Sequence, residues 1–200
     1  MIFTRIRVFY RRKYYNHNMG TESKITVVGG VPFAYPFERI DRVGDTVIAG
    51  NSHKSHSFRW AVTSRETVLQ DMINTVSFRG SSLLTTASLY KKYVFFEQVD
   101  CLPNMPAVAV LDKNHDSLSD QSLALMLACW MEIDHIYLFG YDIENLTERE
   151  RLKTVAMLSP HNHFYYVRKP NPQKIHLYDD YENIHIMDYN DFDRISHAHK

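Results

Sequence analysis

The chain has 200 residues, a formal net charge of zero and an isoelectric point near 7.2. This length suffices for a packed core without cross-links, and the balanced charge creates no field toward nucleic acids or anionic membranes, so nucleic-acid binding is not predicted. No apolar run approaches the ~18 residues of a membrane span. The two cysteines, Cys101 and Cys129, have apolar neighbours and form no CxxC motif, which favours free thiols and a cytoplasmic location.

We interpret residues 1–23 as a basic, aromatic arm or extension, and residues 24–200 as a single α/β domain of a nucleotide-binding type. The arm interleaves five basic residues with aromatic ones and lacks the apolar run and cleavage site of a secretory signal. Three interpretations of the arm stay open. It is an edge strand, because "TRIRVFY" alternates; or a basic arm for an acidic partner; or an extension upstream of Met19.

From Lys24 onward, β-branched apolar runs alternate with segments of helical period. The predicted strands are 24–30, 45–51, 58–64, 93–97, 106–112, 135–142, 163–170 and 183–188, the last followed by a short acidic segment. The predicted helices are a short one before Gly44, one ahead of the strand at 93–97, and longer ones at 64–75, 118–134 and 146–158. Ser64 is the predicted cap of the helix at 64–75, and Thr147 with Glu150 forms a predicted capping box.

This alternation predicts a Rossmann-like α/β fold, with a mainly parallel sheet and helices on both faces. In such sheets, ligands bind beyond the carboxyl ends of the strands. The following strand ends are therefore expected around one crevice: Gly29-Gly30, Gly50-Asn51-Ser52, Asp112 and Gly140-Tyr141-Asp142.

Several short motifs suggest chemistry at this crevice. "VVGGVP" is neither a GxGxxG fingerprint nor a P-loop, so its glycines indicate a turn or a close approach of backbone to a ligand. His53 and His56 have HxxH spacing without a fixed third ligand, and no metal site is predicted from them. Asp142, in "GYD", is suited to accept from ribose hydroxyls, to bind a metal through oxygen, or to form a turn. His161 and His163, in "SPHNHFYY", enter a strand from a loop and are candidate general bases.

The order of these motifs resembles a known group of proteins. "VVGGVPFAYPFERID" gives a strand followed by Gly-x-x-Pro, and Asn51 follows the second strand. "ALMLACWMEIDHIYLFGYD", residues 124–142, gives a buried helix leading to a strand and Gly-x-Asp. Over roughly residues 24–168 the chain resembles the bacterial lipooligosaccharide sialyltransferases and the related Rossmann domain of 6-hydroxymethylpterin pyrophosphokinases.

The resemblance implies a glycosyltransferase-like enzyme that uses a nucleotide-activated sugar. It implies that the donor phosphates and base lie against the glycines and polar residues of the first two strand ends, Gly29, Gly30, Asn51 and Ser52. It further implies that Ser119 hydrogen-bonds the nucleotide and that Asp142 contacts the ribose or a metal, with Mg²⁺ as the candidate ion. "PHNHFYYV" falls where the sialyltransferases carry their catalytic histidine, which implies His163 as the base and His161 as its substitute.

Ser119-Asp120-Gln121 stands where the family has Thr-Ser-Gly, and an aspartate there repels a phosphate unless a metal or an arginine compensates it. Two alternatives therefore stay open: a nucleotide- or small-molecule-binding protein without turnover, and a Mg²⁺-dependent pyrophosphokinase of the pterin type. The resemblance also implies a homo-oligomer.

Overall fold

A computed structural model of the chain describes residues 23–50, 53, 58–105, 118–171 and 178–197, with the backbone alone for residues 196 and 197. The described strands are β1 (Lys24–Val28), β2 (Asp45–Ala49), β3 (Trp60–Thr63), β4 (Ser82–Thr85), β5 (Val99–Cys101), β6 (His135–Phe139), β7 (His163–Arg168) and β8 (Ile184–Asp188). The described α-helices are α1 (Phe37–Ile40), α2 (Glu66–Asn74), α3 (Ala87–Tyr93), α4 (Asp120–Trp130), α5 (Leu146–Leu158) and α6 (Tyr189–His197), and a 3₁₀ helix covers Val76–Phe78. Residues 1–22 of the arm, the predicted strand at 106–112, and Asn51 and Ser52 lie outside the described residues.

The eight strands form one sheet in the order β5-β4-β3-β2-β1-β6-β7-β8. Every neighbouring pair is parallel, from β4–β5 at one edge to β7–β8 at the other. The chain builds outward from β1 to β5, returns to the other side of β1 with β6, and then continues to β8. The strand order therefore reverses between β1 and β6, and this reversal is the place where open parallel sheets form a ligand crevice.

Both faces of the sheet are covered, which explains why β1 to β4 and β6 are mainly apolar runs rather than alternating ones. On one face the buried side chains of α4 and α5 pack against the sheet, with Leu123, Leu127 and Leu152 fully buried. On the other face α1, α2, α3 and α6 contribute buried side chains, among them Met72 and Phe192. The predicted Rossmann-like architecture is confirmed. No helix in the described part of the chain is long and apolar enough to cross a membrane.

The helix predicted ahead of residues 93–97 is confirmed as α3, but the rest of the segmentation predicted for residues 82–100 is wrong. Residues 82–85 form β4 rather than the start of a helix, because Leu83 and Leu84 are fully buried in the sheet. The predicted strand at 93–97 is instead the end of α3 and a turn, in which Phe95 is 91% exposed. The strand that follows is β5, three residues at the edge of the sheet.

Two predicted caps are also replaced. Asn145, rather than Thr147, caps α5, because its side-chain oxygen accepts from the backbone N–H groups of Thr147 and Glu148 at 3.0 and 3.4 Å. Arg65, rather than Ser64, occupies the cap position of α2, and it makes no side-chain capping bond. The short acidic segment predicted after β8 is helix α6.

The segment that follows β1 is tied to α6. The Tyr35 hydroxyl donates to the Asp193 carboxylate at 2.5 Å, and Arg39 donates to the same carboxylate at 3.0 Å. The Tyr35 ring packs against Phe139 and, edge to face, against Phe192. Burial raises the pKa of Tyr35, and its bond to Asp193 raises that pKa further, so the hydroxyl remains a donor. The segment that follows β1 is thus held in place by α6, which comes late in the sequence.

Candidate functional site

A pocket of about 670 Å³ lies beyond the carboxyl ends of β1, β2, β3 and β6. These four strands are adjacent in the sheet, and they include the two that flank the reversal of strand order. Its described lining comes from the strand tips and from the first turns of α4 and α5. This is the edge at which the sequence predicts a crevice, and parallel sheets bind ligands there because strand tips and helix starts converge on it.

The tips of β1 and β6 cross closely because each is followed by glycine. The Gly29 N–H donates to the Phe139 carbonyl at 2.7 Å, and the Val31 N–H donates to the Gly140 carbonyl at 2.9 Å. A Cβ at Gly29 would overlap the Gly140 carbonyl, and Gly140 itself has a φ of 58°. Gly30 differs, because a Cβ there would meet no described heavy atom within 4 Å. Gly30 lines the pocket and is the backbone that a ligand can approach.

The start of α4 forms one wall of the pocket. Ser119 caps the helix by accepting from the Ser122 N–H at 3.1 Å, which leaves the Ser119 hydroxyl proton to donate. Gln121 accepts from the Asp142 N–H at 3.1 Å, and the Asp142 carboxylate accepts from the Asn145 N–H at 3.2 Å. The first turns of α4 and α5 are thereby joined through the tip of β6.

Asp120, in the same turn of α4, is a buried carboxylate with both oxygens engaged. Its Oδ1 accepts from the Thr63 hydroxyl and from the Ser64 N–H, each at 3.0 Å. Its Oδ2 accepts from Arg65 Nε at 3.1 Å and from Arg65 Nη2 at 2.5 Å. The Asp120 side chain is 6% exposed and the Arg65 side chain 62% exposed. Arg65 thus compensates the acid that the sequence predicts to repel a phosphate.

Gly50, at the tip of β2, makes room for this ion pair. Its φ is 64°, a left-handed conformation that glycine adopts without steric cost. A Cβ at this position would lie 2.7 Å from Asp120 Oδ2 and 3.2 Å from Arg65 Nη2. Glycine is therefore required both by the backbone and by the two charged side chains above it.

A second buried acid, Glu148, lines the pocket from the first turn of α5. Its oxygens accept from the Ser122 hydroxyl and from Arg151 Nη1, both at 2.6 Å, and its side chain is 7% exposed. Burial raises the pKa of the neighbouring Tyr141, and the charge of Glu148 raises it further. Of the three acids in the described lining, only Asp142 has no arginine partner among the described residues.

The structure brings together three of the predicted nucleotide-binding residues: Gly30, Ser119 and Asp142 all line the pocket. Gly29 lies directly before this lining and shapes the crossing of the strand tips. Asn51 and Ser52 lie outside the described residues. The roles assigned to the predicted residues remain predictions, and the fold places Gly30, Ser119 and Asp142 at the carboxyl edge of the sheet.

The structure does not bring the predicted bases to this pocket. His163 is the first residue of β7 and pairs in register with His135, the first residue of β6. In a parallel sheet the first residues of the strands share the edge opposite the pocket, about 16 Å from the strand tips at ~3.3 Å per residue. His161 precedes β7 in an exposed turn at that same far edge. No histidine is among the described lining residues.

His163 belongs instead to a row of rings across three strands. Its Nδ1 lies 3.3 Å from His185 Nε2, and its ring stacks on His135 with centroids 5.7 Å apart. His185 in turn stacks on Tyr165 at 4.9 Å. Burial, and then the nearby charges of His163 and His135, lower the pKa of His185.

Both arginines of the pocket, Arg65 and Arg151, and the buried acid Glu148 were not predicted from the sequence. Arg65 is the second residue after the end of β3, so its position in the sequence was a usable signal. Arg151 and Glu148 lie one helical turn apart, a spacing at which opposite charges meet. In the described part of the chain, no group of three or more His, Cys, Asp or Glu side chains is arranged to hold a metal ion.

The chain is similar to a solved structure in its fold. No family model and no curated protein matches the chain. Among solved structures, the chain is similar to the sialyltransferase CstII from Campylobacter jejuni, described as a complex with the substrate analogue cytidine-5′-monophosphate. The TM-score is 0.50 and the identity 13%, over 72% of this chain and 78% of that one. The chain therefore has a glycosyltransferase-like fold.

Proposed function

We propose that the chain is a glycosyltransferase-like protein that binds a nucleotide-activated sugar in the pocket beyond β1, β2, β3 and β6. The observation that carries the proposal is the position of the pocket, at the reversal of strand order in a sheet whose fold is like that of a sialyltransferase. Nucleotides bind at this position in parallel sheets because backbone N–H groups at helix starts attract phosphate.

Three of the predicted contacts, Gly30, Ser119 and Asp142, have a place in this proposal. The open backbone at Gly30 allows a phosphate or base to approach. The Ser119 hydroxyl keeps a proton to donate while it caps α4. Asp142 has a carboxylate suited to accept from the ribose hydroxyls, as the resemblance implies. His163 and His161 remain bases predicted from the sequence, but their position at the far edge gives them no step in this proposal.

One glycine pair tests the site. Gly30 and Gly80 both face open space, where a Cβ meets no described heavy atom within 4 Å, and only Gly30 lines this pocket. Gly30→Val should abolish binding of nucleotides and nucleotide sugars, while the matched Gly80→Val should bind as the wild type does. A thermal-shift screen measures this, since a ligand at 100 times its Kd stabilises by about 2.7 kcal/mol. Equal shifts in the two variants would refute the site.

A binding protein without turnover is the second candidate, and one observation favours it. The described lining holds no histidine, and two of its three acids are fixed in ion pairs with arginine. Incubation of a stabilising nucleotide sugar with the protein, followed by mass spectrometry, separates the two candidates. Release of free nucleotide supports transfer or hydrolysis, and saturable binding with no product supports the binding protein. Replacing His163 with alanine should leave nucleotide affinity unchanged, because that residue is about 16 Å away at ~3.3 Å per residue.

A further inference from the structure

The pocket has two chemically different ends. Arg65 and its partner Asp120 lie at the tips of β2 and β3, because the Thr63 hydroxyl donates to Asp120 and a Cβ at Gly50 would lie 2.7 Å from its Oδ2. Asp142 follows β6. Two to three strand spacings separate these tips, about 10–14 Å at ~4.8 Å per strand. The first end presents a cation and the second a carboxylate, with the open backbone of Gly30 between them.

Asp120 holds the Arg65 guanidinium in place but occupies only some of its N–H donors. Asp120 binds one edge of the guanidinium, through Nε and Nη2, and is itself fixed by Thr63 and Ser64. Nη1, with two further N–H donors, has no hydrogen-bond partner among the described residues, and the side chain is 62% exposed. A guanidinium already fixed in position loses little further freedom when it binds an anion.

The other arginine of the pocket is less available. The Arg151 side chain is 20% exposed and donates to Glu148, which is buried beside Ser122. The described lining has three acids and two arginines, so we expect an anion to bind where an arginine keeps N–H donors beyond its own ion pair and is exposed. Arg65 is the residue of the described lining that meets this condition.

We propose that Arg65 is the anion-binding and specificity-determining residue of the pocket. Its Nη1 edge binds the phosphate of the nucleotide-activated ligand, which orients the hydroxyl-bearing end of that ligand toward Asp142. Asp120 is the positioning residue that holds the guanidinium, and the absence of a side chain at Gly50 allows the pair to form. This inference rests on the proposed function, and it adds the residue that separates nucleotides from uncharged nucleosides.

The experiment compares Arg65→Gln with a matched control, Arg59→Gln. Arg59 also pairs with an aspartate, donating to both oxygens of Asp45 at 2.7 Å, but Asp45 is the first residue of β2 and lies at the far edge. The probes are cytidine-5′-monophosphate, cytidine and inorganic pyrophosphate, measured by calorimetry. A double variant, Arg65→Gln with Asp120→Asn, guards against a folding defect, because it leaves no buried charge without its partner.

Arg65→Gln and the double variant should each bind the monophosphate ~10- to 100-fold more weakly, the size of one charge-assisted hydrogen bond. Their affinity for cytidine should not change, and Arg59→Gln should match the wild type for every probe. If the wild type and both Arg65 variants bind the monophosphate with equal affinity, this inference is overturned and the proposed function still stands. Wild-type binding of pyrophosphate alone, lost in both Arg65 variants, would support Arg65 and refute the nucleotide site. A wild type that binds no probe would overturn both.

Discussion

Gly50 is the position at which one added methyl group tests the pocket most directly. Gly50→Ala places a side chain on a backbone with a φ of 64°, where non-glycine residues cost ~1–2 kcal/mol. The new Cβ would also lie 2.7 Å from Asp120 Oδ2, so the buried carboxylate must move away from its donors. Weakening buried hydrogen bonds of this kind costs a further ~1–2 kcal/mol.

The expected loss of stability is therefore about 2–4 kcal/mol. For a chain of this size, one kcal/mol changes the Tm by ~2–4 °C, so the Tm should fall by roughly 5–15 °C. Urea denaturation followed by circular dichroism measures the free energy, and calorimetry measures the Tm.

The matched control is Gly80→Ala, in the turn before β4, where a Cβ meets no described heavy atom within 4 Å and φ is not positive. This variant should stay within about 0.5 kcal/mol of the wild type, as surface substitutions usually do. If Gly50→Ala were as stable as Gly80→Ala, the tight packing of the ion pair against the tip of β2 would be refuted.

Two further predictions concern stability. Glu148→Ala leaves Arg151 without its buried partner, so the free energy of unfolding should fall by ~3–5 kcal/mol in urea denaturation. The control Glu150→Ala, on the exposed side of the same helix, should change it by less than ~1 kcal/mol. Equal effects of the two variants would contradict the buried pair. The pKa of His185 is lowered in the folded chain, so the unfolded chain binds more protons, and stability should fall as the pH falls from about 6.5 toward the folded-state pKa. His185→Gln should flatten that decline, and an unchanged pH profile would show that His185 does not cause it.

The sequence was sufficient to predict the fold because the strands β1 to β4 and β6 are buried on both faces. Such strands are short apolar runs bounded by glycine or polar residues, and the runs at residues 24–30 and 135–142 are clear examples. The strand at 82–85 was missed because "SLLTTASLY" carries both strand and helix propensity, and burial against the neighbouring strands decides between them.

The site was predicted in its position more than in its chemistry. Strand tips are visible in a sequence, so Gly30 and Asp142 were placed at the pocket. Arg65 and Asp120 are 55 positions apart in the sequence, and no local sequence pattern predicts a contact over that distance. His163 stays a predicted base, but the sequence did not show its distance from the pocket, because a residue that begins a parallel strand lies at the opposite edge from one that follows a strand.

The central position of β1 has a consequence for how the chain reaches its native state. β1 pairs with β2 on one side and, more than 100 residues later, with β6 on the other, Lys24 lying beside His135. Pairing across such a long stretch of chain is entropically costly and slows folding. The cationic end of the pocket belongs to the first group of strands, whereas Asp142 arrives with β6. We therefore expect ligand binding to appear only after this long-range pairing, so that recovery of binding during refolding reports the closure of the sheet.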